Sequence, residues 1–353
     1  MPASYATPKT DSPLLVLYTG GTLGMVETPN GLAPGGDIAR RLARALATLP
    51  PARRASLPDH EVLAVSDPID SSAATPRDWQ RLASEIADRY RDHAGIVVLH
   101  GTDTLAWTAA SLAYQLQGID RPVVVTGAMR PLEVPGSDAL ANIELALSFA
   151  ANPALQEVAI AFGGQLLRGV RARKWHSRAD NAFASPNYPR LGERVGSDAV
   201  LYPGRGLERQ QRGAPRFELP DYAPLADGGV ARLVLWPGIS ARQVAAWLDD
   251  SRLQGALLEV WGGGNVPEDP ALLEALAAAS GEGKLLAAIG QCPHGHIEIG
   301  QYAAGQGLTA AGVLSGEAMT PEAALTKLVH LLAQPLDDVE RRRRFLTPLV
   351  GER

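Results

Sequence analysis

The run "LLVLYTGGTLGM", residues 14–25, breaks from apolar residues into two threonines, Thr19 and Thr22, set around two glycines. A second hydroxyl pair, Ser71 and Ser72, closes "SDPIDSS", and "LHGTDT" ends another apolar run in Thr102 beside Asp103. An alcohol near its own pKa is a weak nucleophile, so a threonine acting as one needs a proton acceptor and a nearby positive charge. Several hydroxyls with one carboxylate suit a small polar substrate that carries an ammonium and a carboxylate. The same residue types also close tight turns and cap strand ends. On residue type alone, both readings stand for Thr19, Thr22 and Thr102.

Other motifs narrow the chemistry by what they lack. "TGGTLG" has no Gly-Lys-Ser/Thr ending and matches neither a phosphate loop nor the dinucleotide fingerprint. "PHGHIE" holds His294, His296 and Glu298, but without a third ligand at metal-site spacing it reads as a polar loop. His100, at the end of an apolar run, reads either as a general base or as a core histidine satisfied by backbone. There is no Ser-His-Asp order and no Gly-x-Ser-x-Gly elbow. A net charge of −5 gives no basic face, which argues against nucleic acid as a partner. Cys292 is the only cysteine, so neither an intrachain disulfide nor a thiolate metal cluster can form. The opening "MPASYATPKTDSPLL" does not read as a secretory signal, and no apolar stretch approaches the roughly 20 residues of a membrane span. The default is a cytoplasmic enzyme or binding protein.

The elements that must position these residues follow from periodicity. At 353 residues the chain is long enough for two domains. Apolar β-branched runs ("GIVVLHG", "PVVVTG", "EVAIAFGG") alternate with helical patterns. The spacing predicts a helix with Thr75 as N-cap and Pro76 at its first position, and with Trp79, Leu82, Ala83, Ile86 and Tyr90 on its buried face. Continuous apolar strands alternating with helices indicate an α/β fold, a parallel sheet covered on both faces. Between about Tyr202 and Gly229 the chain turns rich in Pro, Gly and Arg and reads as a long surface linker. The predicted division is therefore an α/β domain over 1–204, a linker over 205–228 and a smaller α/β domain over 229–353. Arg341 to Arg344 read as a solvated helix face. In an open parallel sheet, ligands bind beyond the carboxyl ends of the strands. Thr19, Thr22, Ser71, Ser72, Thr102 and Asp103 are thus expected to converge on one crevice. That crevice has no obvious metal site and no groove for a long cofactor.

"TGGTLGM", "DSS", "HGTDT", "TGAMRP", "ARKWHSRADNAFASPNYPRLG", "WPGIS", "GGGN" and "GEAMTPEAALTKL" occur here in the order seen in bacterial L-asparaginases. The chain resembles the cytoplasmic, type I subgroup, and the resemblance covers nearly its whole length. It implies a two-domain asparaginase-like fold that hydrolyses L-asparagine to L-aspartate and ammonia without a cofactor. It also implies that Thr22 is the first nucleophile and is left as an aspartyl ester that water cleaves. Thr102, Asp103 and Lys174 resemble a second group, in which Lys174 and Asp103 polarise the Thr102 hydroxyl. A buried Lys174 would need Asp103 as partner, because an unpaired buried charge is costly. By the same resemblance, Ser71 and Ser72 hold the substrate's α-carboxylate and Asp103 its α-ammonium, while backbone N–H groups near Thr102 serve as an oxyanion hole. Asn265 matches an asparagine that relatives supply from a neighbouring subunit, which implies a homodimer or homotetramer.

The sequence departs from the family pattern at three places. Leu32 stands where relatives carry a tyrosine on a flexible lid loop, so either Lys174 and Thr102 act through water, or another residue such as Tyr18 substitutes, or turnover is impaired. Ala73 and Ala74 replace an Asp-Met pair. Glu259 stands where relatives with an allosteric amide site have a basic residue, although Cys292 matches that site. Two other readings remain beside asparagine hydrolysis: a glutaminase-asparaginase of broader amide specificity, and a catalytically weak amino-acid binder or sensor.

Overall fold

The computed structural model describes residues 12–29, 31–299 and 303–353, with the side chains of 303–306 excepted. Most of the N-terminal segment read for a signal, and Asn30 of the lid loop, lie outside the described residues. The chain divides into two compact units, Met1–Phe217 and Glu218–Arg353.

In the first unit the strands are, in chain order, β1 (Leu14–Tyr18), β2 (Met25–Thr28), β3 (Gly31–Pro34), β4 (His60–Ala64), β5 (Ile96–Leu99), β6 (Val123–Thr126), β7 (Val158–Phe162), β8 (Gln165–Arg168), β9 (Arg173–Lys174), β10 (Phe183–Ala184), β11 (Gly192–Val195) and β12 (Asp198–Leu201). Eight of them form one sheet in the order β12-β11-β8-β7-β6-β5-β1-β4. β4, β1, β5, β6 and β7 run parallel, and β8, β11 and β12 extend that sheet antiparallel. β1, β5, β6 and β7 are buried along their whole length, which is why they are unbroken apolar runs. β4 is an edge strand and is only partly buried.

The order of the strands explains where a ligand can sit. β1 has β4 on one side and β5 on the other, so the connections leaving it and β4 diverge. A crevice opens at such a switch point, outside the carboxyl ends of the strands. "TGGT" occupies that end of β1.

The helices follow the same logic of burial. In the helix Pro76–Arg89, Thr75 donates its N–H and its hydroxyl to Asp78 Oδ2 at 2.8 and 2.9 Å, closing a capping box. Trp79, Leu82, Ala83 and Ile86 are buried as the spacing predicts. Tyr90 instead caps the end and packs edge-on against Phe217, with ring centroids 4.8 Å apart. The helices Leu105–Gln115 and Ala139–Ala150 are buried on nearly every side, so their sequences are apolar all round rather than striped.

The stretch read as a linker is not featureless. Arg209–Arg212 form a helical turn in the first unit, capped reciprocally by Glu208 and Gln211. Arg212 Nη1 donates to the Gly118 carbonyl at 2.7 Å and the Arg216 N–H to the Gln117 carbonyl at 2.8 Å. Its many prolines and glycines mask this anchoring from a periodicity test, because isolated contacts, one from a side chain and one from a backbone N–H, make it.

The second unit carries a four-stranded parallel sheet, β13 (Val230–Val234), β14 (Gly255–Val260), β15 (Leu285–Gly290) and β16 (Leu314–Ser315), in that spatial order. Here the expectation of a solvated Arg341–Arg344 face fails. Arg344 is buried and donates to Glu218 Oε2 at 2.7 Å and Gln334 Oε1 at 2.5 Å. Arg342 donates to the Gly312 carbonyl and Ser280 Oγ, and Arg341 to the carbonyls of Leu331 and Leu336. Arg343 is exposed, on Glu340. The cause is the half-buried Glu218 and a set of uncapped carbonyls, all of which need donors. His330 Nε2–H also donates to Glu218 at 3.0 Å, while its Nδ1 accepts from the buried Tyr222 hydroxyl at 2.9 Å. Burial alone would raise the Glu218 carboxyl, but the hydrogen bonds from His330 and Arg344 hold it down to about 2. Among the described residues, no helix is long and apolar enough to cross a membrane.

Candidate active site

Three loops at the carboxyl end of the first sheet meet backbone to backbone, and glycines permit it. A Cβ placed on Gly20 would lie 2.4 Å from the Ile69 carbonyl oxygen. One on Gly21 would lie 2.4 Å from Gly101 Cα, and one on Gly101 would lie 2.3 Å from Ser71 Oγ. Gly20 and Gly21 also hold φ of +119° and +88°, a region that other residues seldom enter. The Ile69 N–H donates to the Thr19 carbonyl at 2.6 Å, and Thr104 Oγ1 donates to the Ser71 carbonyl at 2.8 Å. Loops from residues 19–22, 69–72 and 100–104 are thereby fixed to one another. Thr22 and Thr102 each lie one residue beyond the Gly21–Gly101 contact.

The structure separates the two threonines of "TGGT". Thr19 is fully buried, and both its N–H and its hydroxyl donate to the Leu99 carbonyl at 2.9 Å. It ties β1 to β5. Thr22 opens a 3-10 turn, Thr22–Gly24, and is half-buried. The buried Leu23 holds that turn down, its carbonyl accepting from the Leu132 N–H at 3.0 Å.

Thr102, Asp103 and Lys174 come together directly. Lys174 reaches the crevice from β9, where it pairs with Phe183 of β10. Its Nζ donates to Thr102 Oγ1 at 2.9 Å and to Asp103 Oδ1 at 2.8 Å. The expectation that Lys174 is buried is corrected: its side chain is 21% exposed and that of Asp103 is 62% exposed. Water therefore still solvates the charges, and Asp103 is free on its outer side to meet a ligand's cation. Ser71 is buried against Gly101. Ser72 is exposed, and its N–H and hydroxyl both donate to Asp70 Oδ1, at 3.0 and 2.9 Å.

Asn265 belongs to the second unit, on the loop after β14, where its carbonyl accepts from the Trp261 N–H at 3.0 Å. Its side-chain Oδ1 is buried and has no hydrogen-bond partner among the described residues. Leu32 lies on β3 of the β2–β3 hairpin opposite Glu27 and is 49% exposed. Tyr18 is buried beneath the Thr22 turn, with its hydroxyl against Gly24. Burial raises its phenol above the ordinary range against the opposing charge of Arg41, so it is protonated at neutral pH. Arg41 in turn clamps the turn's exit, donating to the Gly24 carbonyl at 2.7 Å while Glu133 Oε1 accepts from its Nε at 2.5 Å. Glu259 is buried and paired with Arg232 of the neighbouring strand, and Cys292 is exposed beside Gly262.

Several supporting residues are absent from the sequence reading. The Asp138 carboxylate accepts from the N–H groups of Met129 and Arg130, and Asn142 spans the Gly127 carbonyl and the Gly163 N–H at 3.1 and 3.0 Å. These bonds pin the "TGAMRP" loop. Their signal is a pair of polar residues one turn apart, Asp138 and Asn142, at the start of a mostly apolar helix. His100 resolves toward the core reading: it is buried, with Nδ1 2.8 Å from the Gly101 carbonyl and Nε2 3.1 Å from Thr108 Oγ1.

Comparison with known proteins places the chain in a family. Residues 13–204 match the family model "Asparaginase, N-terminal", and residues 229–345 match "Glutaminase/Asparaginase C-terminal domain". The chain is 37% identical over 344 residues to L-asparaginase 1 of Escherichia coli strain K12, covering 96% of this chain and 97% of that one. Its structure is similar to that of L-asparaginase I from Vibrio cholerae, with a TM-score of 0.86 at 35% identity over 97% of this chain and 99% of that one. The thermostable L-asparaginase from Thermococcus kodakarensis gives a TM-score of 0.84 at 31% identity, over 96% and 98%.

Proposed function

The chain belongs to the asparaginase family, and from that premise we propose that it hydrolyses L-asparagine to L-aspartate and ammonia through an ester on Thr22. The observation that carries this reading is the bonded set Thr102–Lys174–Asp103, at 2.9 and 2.8 Å, on a loop whose glycine touches the glycine before Thr22. Thr22 Oγ attacks the side-chain amide carbon, and the C–N bond breaks as the nitrogen takes up the proton that Thr22 gives up. Ammonia leaves, and Thr22 remains as the aspartyl ester. Water then cleaves the ester and returns a proton to Thr22.

Lys174 donates into the Thr102 oxygen, so the hydroxyl's own proton is directed elsewhere and a cation stands beside any negative charge that develops there. Asp103 holds that cation in place and faces the substrate's α-ammonium. Leu32 has no proton to pass, so proton traffic runs through Thr102 and Lys174. Ser71 and Ser72 take the α-carboxylate, with the Ser72 hydroxyl turning from Asp70 as it does so. Asn265, whose Oδ1 is without a partner among the described residues, completes the site from a neighbouring copy, which makes the working form a homodimer or homotetramer in the cytoplasm.

The test is ammonia release from L-asparagine and from L-glutamine by the wild-type chain and by Thr22→Ala. Asparagine should be preferred, since accommodating one more methylene is worth roughly 1–3 kcal/mol. Equal release from both amides would favour the broader glutaminase reading. Binding of asparagine without ammonia would favour a sensor, and activity retained by Thr22→Ala would remove Thr22 from the mechanism.

A further inference from the structure

We propose that His100 is a positioning residue for the oxyanion end of the site: its ring sets the plane of the Gly101–Thr102 peptide and so aims the Thr102 N–H at the substrate's amide oxygen. The inference rests on the amide-hydrolase reading above and adds to it a residue that touches no substrate.

Gly101 sets the requirement. A side chain there would collide with Ser71 Oγ at 2.3 Å, so the position must be glycine. Glycine is also the residue whose backbone wanders most freely. The peptide that carries the donor is therefore attached to the loosest hinge in the loop, and something outside the backbone has to hold it.

His100 does so from both ends. Its N–H donates to the Thr126 carbonyl at 2.8 Å, fixing the ring's root on the sheet. A carbonyl oxygen only accepts, so the 2.8 Å contact between Nδ1 and the Gly101 carbonyl requires the proton on Nδ1. Burial holds the imidazole neutral, which leaves Nε2 unprotonated, accepting from the Thr108 hydroxyl at 3.1 Å. Thr108 is itself buried, and its hydroxyl, which can donate or accept, takes the donor role that the Gly101 contact leaves to it. With both ring nitrogens engaged, no lone pair is left to accept a substrate proton, which removes His100 as a general base.

The consequence for the next residue is geometric. In a trans peptide the C=O and the following N–H point in opposite directions. With the Gly101 carbonyl held toward the ring, the Thr102 N–H points away from it. Thr102 is 6% exposed, and no group among the described residues accepts from that N–H. A buried N–H without a partner is rare in folded proteins. Here it is a donor kept for a ligand oxygen, on the same residue whose hydroxyl meets Lys174.

Three substitutions separate the ring's bonds. His100→Asn places an amide N–H near the position of Nδ1, His100→Gln places one near Nε2, and His100→Leu supplies neither. Removing an oxyanion donor costs on the order of 10²–10³ in kcat. His100→Leu and His100→Gln should lose kcat on the order of 10²-fold with KM little changed, and His100→Asn should recover most of it. Circular dichroism and aspartate binding by each variant report folding. In the wild-type protein, nitrogen-15 spectra of the ring should show Nδ1 protonated, a readout that needs neither turnover nor a variant. Equal losses in Asn and Gln, a loss confined to KM, unchanged kcat in a folded His100→Leu, or a proton found on Nε2 would each overturn the proposal. Failure of the amide-hydrolase reading is seen separately, as absence of ammonia from the wild-type chain.

Discussion

Replacing Lys174 by methionine keeps the length of the side chain and removes its charge and its donors. In the structure those donors reach Thr102 Oγ1 at 2.9 Å and Asp103 Oδ1 at 2.8 Å. Because Lys174 is 21% and Asp103 62% exposed, solvent screens the pair, and its loss should cost at most about 1 kcal/mol of stability. The catalytic scale is larger. A positioned group that moves or stabilises a reacting proton contributes roughly 10²–10⁴ in rate, about 2.7–5.4 kcal/mol of barrier. A structural role and a catalytic role therefore predict different pairs of numbers. We expect Tm to fall by no more than about 4 °C in a thermal unfolding scan. Steady-state ammonia release should fall by at least about a hundredfold, and chiefly in kcat. A kcat close to wild type would show that Lys174 polarises nothing. A large fall in Tm with a matching loss of active protein would show that it only holds the loop.

Thr19→Val removes a buried hydroxyl whose acceptor, the Leu99 carbonyl, keeps the backbone N–H. It should cost about 1 kcal/mol in denaturant unfolding and leave kcat unchanged, and a lost kcat would return Thr19 to the list of reacting groups. Gly21→Ala forces a Cβ to 2.4 Å from Gly101 Cα at φ +88°. Stability should fall by about 2–4 kcal/mol and activity by on the order of 10²-fold, since the two loops must part. The Glu218 carboxyl is held at about 2 in the folded state against an ordinary value of 4.5, so the folded state binds fewer protons through that window. Its stabilisation, about 3 kcal/mol, is fully present above pH 4.5 and is lost as pH falls through 2. In Glu218→Gln the acid limb of stability against pH should flatten, and an unchanged limb would remove the assignment.

Much of the site is legible because its chemistry and its architecture use the same residues. Gly20, Gly21 and Gly101 mark places where backbones touch, and Thr22, Ser71, Thr102 and Asp103 lie within a residue or two of those contacts. Continuous apolar runs give β1, β5, β6 and β7 because both faces of those strands are covered. What stayed hidden depends on partners remote in sequence. Arg344 looks like one more solvent-facing arginine until Glu218, 126 positions away, is seen to need it. The anchoring of 209–216 rests on one side chain and one backbone N–H reaching two carbonyls, which carry no periodic signal. His100 has two readings in the sequence, and only the distances to Gly101 and Thr108 choose between them. A buried Lys174 would need its partner Asp103, yet a short two-stranded ribbon leaves one side of the lysine open to water.

All of the chemistry assigned above depends on an alcohol becoming a covalent carrier, and that can be caught directly. Wild-type protein mixed with L-asparagine, quenched in acid during turnover, digested and mapped by mass spectrometry should carry one aspartyl group on the peptide that contains Thr22. The group should be absent from Thr22→Ala. Ammonia released with the adduct on Thr102, or by a Thr22→Ala protein that turns over normally, would contradict the account.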